Sequence, residues 1–278
     1  MKQIIVSSSS MSFTDDHMFC TVVKDNPKIA AGIVERVTGH KVHKIVGKIV
    51  DQKSVKPGMD IRGVRFDVIF EDDTTVYNIE MQATNNDDMP KRARLYTDAV
   101  DISHSCEGMR FRELKNTIVI FIELFDQFGF GEYVYPVSRH IDTHLEYPYD
   151  DGSKIFFVNA NGTHGNAPEG LRTLLSYVRT GQTGDEMTRS IAAAVSRFSK
   201  DPEWRDAHMR FEYKLALERE EGKEEGKKEG KKEGVNEESS RMQKLLDCLD
   251  NAGRHEEICD AIRDPKKKQE LYKEFGLL

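Results

Sequence analysis

The spacing of apolar positions changes several times along the chain, and each change predicts a new element. Residues 1–12 read as a loose polar leader. From Phe13 onward Met18, Phe19, Val22 and Val23 fall on one side of a helix, with Thr14 or Asp15 placed to cap it. Pro27 opens a second helix that runs to Gly39 as its C-cap. Its stripe is Ile29, Ile33, Val34 and Val37, and Glu35 lies off that stripe. Val42 to Val50 alternates as a strand, and Gly58 to Gly63 reads as a loop. Two runs, Val64–Phe70 and Thr75–Gln82, flank the polar turn Glu71–Thr74, which predicts an antiparallel hairpin. Pro90 starts a helix that continues through 103. Asn116–Ile122 is almost wholly apolar, as a central strand buried on both faces requires. One more strand is expected at 152–158, and helices over about 168–216.

The pattern then gives way to charge. Glycines 222, 226, 230 and 234 punctuate a run of Glu and Lys between 218 and 238. Glu–Lys pairs at i,i+3 and i,i+4 each contribute ~0.2–0.5 kcal/mol to a helix, and each Gly costs ~1 kcal/mol against Ala. The balance is near zero, so on its own this segment is a fluctuating helix. It reads either as a solvated spacer or as a Gly stripe for close contact between subunits. Beyond it Met242, Leu245, Leu246, Leu249, Ile258 and Ile262 outline a small helical piece for dimerisation or docking. The expected organisation is therefore a leader (1–12), a core (13–165), a helical subdomain (166–217), a charged spacer (218–238) and a C-terminal helical segment (239–278).

The totals narrow the function. With 41 Lys+Arg against 48 Asp+Glu, the net charge of -7 excludes a protein that coats nucleic acid by bulk charge, while leaving room for a local basic cleft. Four scattered cysteines without a CxxC pair read as reduced thiols of a cytoplasmic protein. No run approaches the ~20 apolar residues of a membrane span.

The hairpin carries the candidate chemistry. Alternation puts Glu80 and Gln82 on one face and Met81 on the other, and sets Asp67 opposite Phe66 and Val68. A carboxylate in an apolar strand is costly unless it is paired or bound to a cation. A register that brings Asp67 beside Glu80 makes an oxygen site suited to Mg²⁺ or Mn²⁺. The same pattern also fits ordinary polar-face residues of a half-exposed hairpin. Asp15-Asp16 could form a metal site, but helix capping explains the pair better. Lys91-Arg92-Ala93-Arg94 and Arg110-Phe111-Arg112 are basic clusters able to meet a DNA backbone or simply to face solvent, and Trp204 reads as a packing anchor.

Several segments in fixed order resemble the PD-(D/E)XK nuclease family of bacterial transposases, the recombination-promoting nuclease group. They are TDDHMF (14–19), GVRFDVIFED (63–72), YNIEMQ (77–82), PKRARLYTDAVD (90–101), ELKNTIVIFIELFDQFG (113–129) and DGSKIFFVNANGT (151–163). The resemblance implies a restriction-endonuclease-like α/β core, αβββαβ, with a mixed sheet flanked by helices and here a helical C-terminal extension. It implies a metal-dependent DNA endonuclease in which Asp67 and Glu80 hold Mg²⁺ or Mn²⁺. Gln82 stands where many members carry Lys, as in the E-x-Q form common in this group. Arg92 or Arg94 is expected to restore the positive charge, and Glu35 matches the place of a third acidic residue. Lys91, Arg92, Arg94, Arg110 and Arg112 are expected on DNA, and self-association through the C-terminal helices. A non-catalytic DNA-binding or assembly protein that keeps the nuclease fold is the alternative.

Overall fold

The structure, a computed structural model, describes residues 11–56, 63–85 and 88–277. The expected leader up to residue 10 and the loop at Gly58–Gly63, save Gly63 itself, lie outside the described residues. The chain forms two compact units, one up to Met209 and one from Arg210.

The first unit opens with α1 (Asp16–Asp25) and α2 (Pro27–Thr38). Asp15 caps α1, its side chain accepting the Met18 N–H. Gly39 closes α2 in the left-handed region at φ 70°, a conformation that costs glycine little. Strand β1 (Val46–Val55) begins and ends later than the alternation of Val42–Val50 predicts. It is an edge strand, and pairing with the next strand rather than its own apolar pattern sets its length. The hairpin β2 (Val64–Glu71) and β3 (Thr75–Gln82) forms as expected. It is followed by α3 (Met89–His104) and β4 (Asn116–Glu123).

Three short strands follow: the half-buried β5 (Val134–Val137), then the exposed two-stranded pair β6 (His140–Ile141) and β7 (His144–Pro148). The alternation at these positions is too short to mark them, and Pro136 argues against a strand except at an edge, where β5 indeed lies. Then come β8 (Ser153–Asn159), α4 (Glu169–Thr180), α5 (Glu186–Lys200) and the start of α6 (Pro202–Asn251).

The six-stranded sheet has the order β1-β2-β3-β4-β8-β5. β1, β2 and β3 are antiparallel neighbours, β3, β4 and β8 run parallel, and β5 returns antiparallel. Helix α2, the three strands, α3 and β4 reproduce the αβββαβ order of a restriction-endonuclease-like fold. One face buries Val68, Tyr77, Ile79, Ile120 and Val158 against α1, α2, α4 and α5. The other buries Ile69, Val119, Phe121 and Phe157 against Met89, Ala93, Tyr96 and Val100 of α3. Trp204 is the packing anchor its composition suggests: it is buried, stacks on His17 and His208, and donates Nε1–H to Thr21.

In the second unit the charged Gly-rich run lies within the unbroken helix α6. The unit ends in α7 (Glu256–Arg263) and α8 (Pro265–Glu274). Leu245, Leu249, Ala261, Leu271 and Tyr272 make its small core. Met242 and Ile258 pack against that core as the pattern predicts, whereas Ile262 is 64% exposed. Among the described residues no helix is long and apolar enough to cross a membrane.

Candidate metal centre

The site lies where the β2–β3 ladder ends. The last Cα pair is Val68↔Ile79, and past it side chains replace backbone partners. The Asp67 N–H donates to Glu80 Oε1 at 2.8 Å, and the Met81 N–H donates to Asp67 Oδ2 at 2.9 Å. Each carboxylate thus satisfies the main chain of the opposite strand, which a buried backbone demands. This local geometry corrects one expectation. Val68 packs on the α1/α2 face but Phe66 packs on the α3 face, so strict alternation breaks at Asp67 instead of setting it opposite both neighbours. On the other side of β2 stands Gln52 of β1, with φ +50°, between Asp51 and Lys53, which pair with Val68 and Phe66. A left-handed non-Gly residue stores roughly 1–3 kcal/mol of strain.

Asp67 and Glu80 are both buried. Burial and then the charge of Asp16 push the Asp67 carboxyl up to about 7. Burial and then the charge of Asp67 hold Glu80 well above the usual carboxylate range. Asn78 donates to Glu80 Oε1 at 2.8 Å, and Glu80 Oε2 is buried without a partner. An orphaned buried carboxylate oxygen, beside a second carboxylate that repels it, fits a bound divalent cation.

Gln82 lies one strand pleat further on the same face as Glu80. Arg92 of α3 donates from Nη1 to Gln82 Oε1 at 3.0 Å and from Nη2 to the Tyr96 hydroxyl at 2.8 Å. Tyr96 in turn donates to the Arg65 carbonyl. Of the two arginines expected to supply a positive charge, Arg92 reaches the site, while Arg94 is exposed on α3. A guanidinium from the helix thus stands against the strand Gln. Replacing Gln82 by Lys would therefore remove the acceptor of Arg92 and press two cations together. We expect Gln82→Lys to destabilise the fold by roughly 1–3 kcal/mol, read as a lowered urea midpoint.

The remaining expected residues lie elsewhere. Glu35 is exposed near the end of α2, where Oε1 accepts the Val42 N–H, and its charge acts on Tyr77. Tyr77 bonds Asp72 at the turn end of the hairpin, away from the seam. Lys91 is exposed and pairs with Asp88 at 3.7 Å. Arg110, paired with Glu113, and Arg112 precede β4, whereas Gln82 is paired with Glu123 at its far end. At ~3.3 Å per strand residue this is roughly 20 Å or more along the sheet.

The acidic residue that α1 does bring is Asp16. Asp15 alone accepts the capping N–H, which corrects the reading of both as caps. Asp16 Oδ2 pairs with Arg65 at 3.0 Å, and its charge acts on Asp67. Two adjacent acids where one suffices as a cap are the signal, which the sequence offers as a metal site and which capping alone outweighed. Glu123 was also missed: it is fully buried at the end of β4, and burial pushes it up to about 8.

A family model for PD-(D/E)XK nuclease family transposases matches residues 17–166, which holds every strand of the sheet, the seam and Arg92. No curated protein and no solved structure gives a significant match. The match spans more than half of the chain and includes both seam carboxylates, and the chain belongs to the PD-(D/E)XK nuclease family of transposases.

Proposed function

We propose that this protein is a divalent-cation-dependent DNA endonuclease associated with recombination, acting in the cytoplasm, with Mg²⁺ or Mn²⁺ as its ion. The observation that carries the reading is the buried pair Asp67 and Glu80, each tied to the other strand's backbone, with Glu80 Oε2 left unpartnered. These two residues would hold the cation through the oxygens that the backbone N–H groups do not use. A bound divalent ion supplies Lewis-acid polarisation of the phosphodiester and makes water more acidic. Gln82, with Oε1 taken by Arg92, keeps its carboxamide N–H groups to orient a water or a phosphate oxygen. Arg92 is held by Gln82 and Tyr96, so its charge is in place before substrate arrives. Lys91 and Arg94, exposed on the same helix, extend this positive edge along the DNA backbone. Arg110 and Arg112 would meet only a more distant part of a long duplex. Self-association is assigned to the segment from 218 onward, and light scattering on the full chain against a chain ending at 217 reads it directly.

The test is incubation of the full chain with supercoiled plasmid, linear duplex and single-stranded DNA, with Mg²⁺ or Mn²⁺ and with chelator. Nicking that depends on the cation and stops with chelator is expected. No cleavage of any DNA form with either ion, from folded protein that still binds DNA, would instead favour the non-catalytic binding and assembly role.

A further inference from the structure

One buried group next to the carboxylates has no part in the account so far. Cys20 sits four residues after Asp16 on α1, so the two side chains share one helix face. Its Sγ donates to Asp16 Oδ1 at 3.5 Å, an oxygen that also accepts from Gln52 Nε2 at 3.5 Å while Oδ2 pairs with Arg65. One ligand atom each from Asp16, Cys20 and Asp67 lie within 4.8 Å of one another. Burial, and then the charges of Asp67 and Asp16, push the thiol well above its ordinary range. Glu80, whose Oε1 accepts the Asp67 N–H, has its Oε2 fully buried and bonded to nothing. Cys20 is itself wholly buried. It belongs to the apolar core of the α1/α2 face, and its Sγ also accepts from Gln52 Nε2 at 3.9 Å.

We propose that Cys20 is a ligand of the same cation centre, so that Asp16, Cys20 and Asp67 form a mixed oxygen–sulfur set that takes a thiophilic divalent ion of the zinc class. The proposal rests on the reading that the seam carboxylates hold a cation. Thiolate ligands select zinc-like ions, whereas all-oxygen sets suit Mg²⁺ and Mn²⁺. Metal bonds of roughly 2.3 Å to sulfur and 2.0–2.2 Å to oxygen draw a triad of this size together with small side-chain rotations. On coordination the S–H bond is exchanged for an S–metal bond and the proton leaves to solvent, with no change of oxidation state. A zinc-class ion would then hold the centre more tightly than Mg²⁺ and displace it. The protein would be inhibited by such an ion, or would use it.

Co²⁺ is the probe, because a cobalt–thiolate bond gives a near-ultraviolet charge-transfer band that oxygen ligands do not. The measurement uses the full chain in a background with Cys106, Cys248 and Cys259 changed to Ser, so that Cys20 is the one thiol left. The band is expected at about one equivalent of Co²⁺, and it should vanish in Cys20→Ser and in Cys20→Ala, with circular dichroism unchanged. Zn²⁺ should remove the band from the parent by competition, and binding should weaken at least ~10-fold in either Cys20 variant. No band from the folded parent, or a band that survives in both Cys20 variants, overturns the proposal. The nuclease reading fails separately: Mg²⁺-dependent cleavage without the band overturns only the Cys20 ligand, and the band without cleavage under any ion overturns only the nuclease.

Discussion

Glu80→Gln should abolish DNA cleavage while leaving the cation-free protein more stable than the wild type. Both halves follow from the seam. Oε1 of Glu80 accepts from the Asp67 N–H and from Asn78, and the amide oxygen of Gln makes the same bonds. What the substitution removes is the charge, with its orphaned Oε2. That charge is repelled by Asp67 and stripped of water, so the fold carries it at a cost. At pH 8 without cation, the melting temperature of Glu80→Gln should rise by roughly 2–6 °C, equivalent to about 1–2 kcal/mol in a chain of this size. Cleavage should fall by about 10³-fold, the scale on which one preorganised electrostatic group acts in a water-poor site. A variant that is more stable yet inactive separates a functional carboxylate from a structural one, since a structural group would lower both. Thermal melts and nicking rates measured on the same preparation check it.

The second large effect is a stability that falls as pH rises. Asp67 is held up to about 7 and Glu123 up to about 8, both by burial first. A carboxyl with a raised folded-state pKa holds its proton longer in the native protein than in the unfolded chain. Between the ordinary carboxylate range and the raised value the native state binds more protons, so the stability of the fold drops with rising pH across that interval. The limb therefore runs from about pH 4 to about pH 8, opposite in sign to that of a salt-bridged carboxylate. One pKa unit is about 1.4 kcal/mol, so the limb is on the order of a few kcal/mol for each group. Glu123 is fully buried, and neither of its oxygens has a partner. Glu123→Gln should leave stability near the wild-type value at pH 5 and raise it at pH 9. Urea midpoints at the two values read the crossing, and a loss at both would assign the side chain a hydrogen bond it lacks here.

How far the sequence carries the account depends on which interactions are local. Strands β2, β3 and β4 were legible because their apolar residues face a core on both sides, and the caps of α1 and α2 because Asp15 and Gly39 act within one turn. Strands β5, β6 and β7 were not, since they are short: β6 and β7 are exposed, and β5 offers the core only Val134 and Tyr135. Asp67, Glu80, Gln82 and Arg92 were singled out by the family resemblance, and the structure brings them together. Which acid joins them from the early helices was not readable. Glu35 and Asp16 are both acids of early helices, but only the three-dimensional packing places one at the seam and the other at the turn end. The alternation rule also failed at Asp67, where the ladder ends and the strand turns its side chains to bond across.

The most direct test of the account is the rate of plasmid nicking as Mg²⁺ is raised, measured for the wild type and for Asp67→Asn. Asn keeps an oxygen for the Met81 N–H, so the variant should fold. The account predicts a wild-type rate that climbs and saturates with Mg²⁺ and a variant rate lower by about 10²–10³-fold at every concentration. Equal rates from the two folded proteins would contradict it, because the reaction would then run without the carboxylate on which the site is built.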